Sequence, residues 1–168
     1  MPSSSTSPPT MASTAVVPWP YVFFFKYLDP LTALYGAYLN FADPTAAVQA
    51  LAPSSVYDPD QVFLFHQAGG LAIAIAVLTA LVPRLSSDLV VWRILQGALL
   101  LSDFAGLSGI YFALARQDRL APARWTADDF GCGSTYLVLT VIRLLFVLGV
   151  GFAATVAPAR GSPGRKNV

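Results

Sequence analysis

Four ionisable side chains interrupt long apolar stretches of the sequence, and their types could support acid–base chemistry. The acids are Asp29 and Asp103, and the bases are Lys26 and Arg143. A positioned acid can donate a proton, and a nearby cation can stabilise negative charge that develops on a substrate. We therefore predict a candidate catalytic set of Asp29, Asp103 and Arg143. Lys26 and the single histidine, His66, are secondary candidates.

The same four charges also have a structural interpretation, because they sum to zero. A charge at the centre of a bilayer costs about 2.5–3.5 kcal/mol on insertion scales, so opposite charges at similar depth should pair. Two pairs are predicted: Lys26 with Asp29 along one helix, and Asp103 with Arg143 between two helices. Such pairs would fix the register of the helices, and the sequence leaves both interpretations open.

The elements that position these residues are predicted to be membrane helices. Hydrophobic residues make up 55% of the chain and charged residues only 11%, whereas soluble domains carry roughly 25% charged residues. A helix needs about 20 apolar residues to cross a bilayer. Four stretches meet this length, at residues 16–41, 62–82, 89–115 and 134–157. The predicted fold is all-α, a four-helix transmembrane bundle over residues 15–157.

Both ends of the chain are predicted to lie outside the bundle. Residues 1–14 are mainly Ser, Thr and Pro and should form a disordered tail, and residues 158–168 should form a basic flexible tail. Four spans would place both termini on one side, with four Lys or Arg residues outside the spans there and three on the other side. The positive-inside rule then favours cytoplasmic termini. Without an organelle signal, the expected location is the endoplasmic reticulum or another endomembrane.

Composition also limits the cofactors and partners that we expect. The formal net charge of +1 gives no reason to expect nucleic acid, and one Cys132 with one His66 makes a Cys/His metal site improbable. We therefore predict no cofactor and no metal. The predicted partners are membrane lipids, other membrane helices and a hydrophobic small molecule.

Pro30 lies inside the first apolar stretch, directly after Asp29. Because proline has no N–H, the carbonyl of Lys26 should lose its helical hydrogen-bond partner, and the helix should be distorted there. A neighbouring helix or water is then expected to serve that carbonyl.

The stretch FFFKYLDPLTALYGAY resembles a motif of a fungal family of small four-span membrane proteins, known only as domain of unknown function 7704. In that motif an aromatic run precedes an acid and a proline, followed by Leu-Ser or Leu-Thr and a glycine. The matching residues here are 23–25, Asp29-Pro30, Leu31-Thr32 and Gly36, with Ser102-Asp103 and Arg143 further along. The family more often has Glu where this chain has Asp29. The resemblance covers residues 18–152 and implies a fungal source and four spans, but no activity.

Two functions remain open from the sequence. The first is an enzyme of lipid or secondary metabolism that performs isomerase-like or cyclase-like acid–base chemistry on a lipid-soluble metabolite. It requires a cavity of roughly 300 Å³ or more, with Asp29, Asp103 and Arg143 on its wall. The alternative is a non-catalytic membrane scaffold or partner subunit, which requires these groups to be paired and the axis filled.

Overall fold

The structure is a computed structural model that describes residues 16–152, and within that range its regular secondary structure consists of helices, without a β-strand. Helix α1 covers residues 19–42, followed by the short α2 (Pro44–Gln49), α3 (Val62–Leu85), α4 (Leu89–Arg116) and α5 (Ala127–Val147). Single 3-10 turns at Pro59–Gln61 and Pro122–Arg124 lie in the two longer connections. The all-α prediction is confirmed. The tails predicted at residues 1–14 and 158–168 lie outside the described residues.

Helix α1 changes its hydrogen-bond pattern in front of Pro30. It starts as an α-helix at Trp19–Phe23, passes through a π-helical turn at Phe24–Leu28 and returns to an α-helix at Asp29–Ala42. A π turn is a recognised way for a helix to absorb an insertion or a missing donor. The freed carbonyl of Lys26 accepts a 2.8 Å hydrogen bond from Nη2 of Arg84 on α3. The sequence prediction that a neighbouring helix serves this carbonyl is confirmed.

The long helices approach each other most closely in two pairs, α1 with α3 and α4 with α5. Glycine allows this approach in both pairs. A Cβ atom on Gly69 of α3 would lie 2.6 Å from the ring of Phe41, and one on Gly106 of α4 would overlap the ring of Tyr136. Small residues at such positions are typical of helices that pack within a membrane.

The two pairs are joined by buried aromatic and charged side chains. Phe25 of α1, Trp92 of α4 and Phe146 of α5 form a buried aromatic cluster. The ring centroids of Phe25 and Phe146 are 5.0 Å apart, and those of Trp92 and Phe146 are 6.3 Å apart. The charged side chains that join the two pairs lie beside this cluster and form the candidate site described in the next subsection.

The last helix runs over Ala127–Val147. It therefore starts and ends earlier in the chain than the predicted span at residues 134–157. Its start is set by a capping box, in which the side chains of Thr126 and Asp129 each accept the other's backbone N–H. Its end is set by Gly149, whose φ of 77° belongs to the left-handed region that terminates helices. Residues 153–157 of the predicted span lie outside the described residues.

Helix α3 extends beyond the predicted span at residues 62–82. The helix continues to Leu85, with Pro83 inside its last turn. A proline so near the end removes one hydrogen bond without breaking the helix, because few further turns depend on it.

Three helices are long and apolar enough to cross a membrane: Pro59–Leu85, Leu89–Arg116 and Ala127–Val147, with mean hydropathies of 1.9, 1.6 and 1.8. Only 17% to 28% of their most apolar windows is buried inside the chain, so most of their apolar surface faces outward. These helices indicate a membrane protein. Helix α1, which carries Lys26, Asp29 and Asn40, is not among the three. The count of four spans, the endomembrane location and the cytoplasmic termini stay predictions.

The capping box predicts a measurable contribution to stability. Thr126→Ala removes the hydroxyl that accepts from the N–H of Asp129, and loss of such a cap typically costs about 1 kcal/mol. We expect a lower thermal midpoint for the detergent-purified variant. Ser134→Ala is the control, because the one hydrogen bond of that hydroxyl in the described part of the chain goes to the carbonyl of Gly131 in the same helix. Equal midpoints for the two variants would contradict the assignment of Thr126 as the cap.

Candidate functional site

Arg143 lies at the centre of a buried polar cluster that connects three helices. Its Nη2 donates to Oδ1 of Asp29 at 2.5 Å, and its Nε donates to Oε1 of Gln96 at 3.1 Å. Its Nη1 donates to both carboxylate oxygens of Asp103. We call these four residues the Arg143 cluster. Each is at most 5% exposed, so the cluster is shielded from solvent and from lipid.

The local structure of each helix brings these side chains together. Gln96 and Asp103 are two helical turns apart on α4, so they share one face. Asp29 directly follows the π turn, precedes Pro30 and is buried on the inner side of α1. Arg143 lies on the buried face of α5, one turn from Thr140 and Phe146.

The Arg143 cluster has more acidic than basic groups. Two carboxylates face one guanidinium group, which leaves one negative charge in excess when both acids are ionised. Asp103 uses both oxygens on Arg143, whereas Asp29 uses only Oδ1. Within residues 16–152, Oδ2 of Asp29 and Nε2 of Gln96 are buried and have no hydrogen-bond partner. One of these two atoms can accept a further hydrogen bond, and the other can donate one.

One of the two predicted ion pairs is present, and the prediction of the other is wrong. Asp103 pairs with Arg143 as expected. Asp29 pairs with Arg143 instead of with Lys26. The ammonium group of Lys26 lies 5.6 Å from the ring centroid of Trp92, in a cation–π contact. The physical reason is the π turn, because its wider hydrogen bonding removes Lys26 and Asp29 from a common helix face.

His66 lies apart from the Arg143 cluster. It is an exposed residue in the early part of α3, and its ring centroid is 5.2 Å from that of Phe41. The structure therefore brings Asp29, Asp103 and Arg143 together, places Lys26 on the neighbouring aromatic cluster and leaves His66 outside.

Gln96 is the cluster member that was not among the predicted site residues. Its signal was present, since it stands seven residues before Asp103 on the same helix and points inward with it. A second missed contact is the ion pair of Arg119 with the buried Asp129. Arg119 also donates to the carbonyl of Leu51 at 3.2 Å, so this pair connects the two longer loops at the opposite end of the molecule.

Two surface cavities lie beside α1. One of about 320 Å³ is lined by Lys26, Tyr27, Pro30, Leu31, Ala80, Leu81 and Arg84. The other, of about 560 Å³, is lined by Pro18, Trp19, Pro20, Tyr21, Phe23, Phe24, Ile142, Val150 and Gly151. Neither is lined by a member of the Arg143 cluster. Among the described residues, no group of three His, Cys, Asp or Glu side chains could hold a metal ion.

Outward-facing apolar helices around a buried ion cluster define a small helical membrane protein. The chain belongs to the family described as domain of unknown function (DUF7704), whose model matches residues 13–153. This finding confirms the family resemblance, while the fungal source and the four spans stay predictions. No curated protein and no solved structure matches the chain.

Proposed function

We propose that this chain is a non-catalytic integral membrane protein with four spans, in which the Arg143 cluster is a structural clamp. The outward faces of its helices would contact lipids and the helices of a membrane partner. One observation carries the proposal: all three guanidinium nitrogens of Arg143 donate to buried side chains of other helices.

The position of the cluster supports a role as a clamp. The backbone contacts are concentrated within the α1–α3 and α4–α5 pairs. Arg143 of the second pair reaches Asp29 of the first pair, while also holding Asp103 of its own pair. One side chain thereby connects both pairs. A buried charge network of this kind is a known device for fixing register, whatever its net contribution to stability.

The enzyme hypothesis has weaker support. An acid that acts on a metabolite must face a space that the metabolite can enter, and the two cavities beside α1 are lined by other residues. One observation still favours chemistry, since Oδ2 of Asp29 is buried without a partner among the described residues. Acid-catalysed isomerisation or cyclisation of a lipid-soluble metabolite at Asp29 is therefore the second candidate.

Replacing the whole cluster distinguishes the two functions. The triple variant Asp29→Asn, Asp103→Asn and Arg143→Met removes every charge at nearly constant volume, and replacement of a complete buried ion network is often tolerated. For a clamp, we expect normal accumulation in the membrane. The lipid-extractable metabolites of a deletion strain carrying the variant should match those of the strain carrying the wild-type gene.

A missing metabolite together with a normal protein level would overturn the clamp and support the enzyme. If the triple variant fails to accumulate, Asp29→Asn alone provides the same comparison. That change removes the excess negative charge and leaves the Asp103–Arg143 pair intact. Loss of a metabolite in this single variant would again contradict the clamp.

A further inference from the structure

A groove between α1 and α3 combines two cations with apolar walls. This Lys26–Arg84 groove is the cavity of about 320 Å³ lined by Lys26, Tyr27, Pro30, Leu31, Ala80, Leu81 and Arg84. Tyr27, Leu31 and Leu81 are exposed along it. Arg84 lies in the last turn of α3, at the end of an apolar helix that is long enough to cross a membrane.

Arg84 is held in place at this groove by its neighbours. Its Nη2 donates to the carbonyl that Pro30 leaves free on Lys26, at 2.8 Å, and its Nη1 donates to the carbonyl of Ala80. Its Cζ lies 5.2 Å from the ring centroid of Tyr27. The guanidinium group is therefore oriented before any ligand arrives, which lowers the entropic cost of binding.

Neither cation of the groove forms an ion pair among the described residues. The ion pairs formed within residues 16–152 use Arg119, Arg124 and Arg143, and none involves Lys26 or Arg84. Asp29, three residues after Lys26, forms its ion pair with Arg143. Two cations that form no ion pair within residues 16–152 and lie beside an apolar surface are complementary to an anionic headgroup with an acyl chain.

We propose that the Lys26–Arg84 groove binds an anionic phospholipid. The phosphate accepts hydrogen bonds from the free N–H groups of Arg84 and from the ammonium group of Lys26, and an acyl chain lies along Pro30, Leu31 and Leu81. A free phosphate ion would use the cations but not the apolar walls. This inference goes beyond the clamp and does not depend on it, because the groove and the Arg143 cluster share no residue.

The test measures lipid binding to the full-length protein. The protein is purified in a non-ionic detergent and examined by native mass spectrometry with equal amounts of phosphatidylglycerol and phosphatidylcholine that have the same chains. Each basic residue near an anionic lipid contributes roughly 1 kcal/mol, so two cations should give about a thirtyfold preference for phosphatidylglycerol. The double variant Lys26→Gln with Arg84→Gln should lose this preference.

Matched variants separate a lipid site from a general charge effect. Lys26→Arg with Arg84→Lys keeps both charges and should keep the preference. Arg116→Gln with Arg124→Gln removes two exposed charges at the opposite end and should also keep it. If Arg84→Gln impairs folding, Lys26→Gln alone should reduce the preference about fivefold.

Four results would overturn the proposal. They are equal binding of both lipids, retention of the preference in the neutral double variant, its loss in the double variant at the opposite end, and displacement of the lipid by millimolar inorganic phosphate. The last result would show a site for the anion without its acyl chains. Co-purification of an acidic membrane protein that is lost in the neutral double variant, without any lipid preference, would assign the groove to a protein partner instead.

Discussion

Arg143→Leu should destabilise the protein more than any other single change in the cluster. It leaves the carboxylates of Asp29 and Asp103 buried, close together and without their shared cation. Breaking a buried ion network by removing one partner costs about 3–5 kcal/mol. We expect this loss in equilibrium unfolding of the purified protein in mixed detergent micelles, together with reduced accumulation in the membrane.

Two comparisons show whether the loss comes from unpaired charge. Arg93→Leu removes an exposed arginine whose guanidinium lies over the ring of Phe152, 5.5 Å from its centroid. It should cost less than about 1 kcal/mol, as is usual for surface changes. Adding Asp29→Asn and Asp103→Asn to Arg143→Leu should restore most of the lost stability. An Arg143→Leu variant as stable as the wild type would mean that the cluster is not a clamp.

Gly106→Val should be the most damaging change at a helix contact. The new Cβ would overlap the ring of Tyr136, well inside van der Waals contact. Overpacking of a tight contact typically costs about 1–3 kcal/mol. Because α4 and α5 are in direct contact at this point, we expect a lower thermal midpoint and a fraction of aggregated protein on size exclusion.

The same helix provides the control for this prediction. Gly109→Val makes the same chemical change, but within residues 16–152 no atom outside the adjoining backbone of α4 lies within 4 Å of its Cβ. Its effect should therefore be limited to the small difference in helix propensity between glycine and valine. Combining Gly106→Val with Tyr136→Ala should recover stability relative to Gly106→Val alone. Similar midpoints for the valine variants at 106 and 109 would contradict a close contact at Gly106.

Features that depend on local physical chemistry could be predicted from the sequence. Apolar stretches long enough for a bilayer predicted the helices α1, α3 and α4 nearly to their observed ends. The high cost of an isolated charge among apolar side chains predicted that Asp103 and Arg143 would meet. Pro30 alone predicted that the carbonyl of Lys26 would lose its helical hydrogen-bond partner, because proline has no N–H. Arg84 donates to that carbonyl instead.

The tertiary structure decided which partners these residues take. The contact of Arg143 with Asp29 joins residues 114 positions apart, and its contact with Gln96 spans 47 positions. The helical repeat shows which side chains share a face of a helix. It does not show which of several polar faces contacts Arg143. The choice depends on how the α1–α3 and α4–α5 pairs are packed, and a π turn of one extra residue redirected Asp29 from Lys26 to Arg143. Packing between residues that are far apart in the sequence therefore determined which charged side chains pair. Composition and local spacing determined where the helices lie and which charges have to be buried.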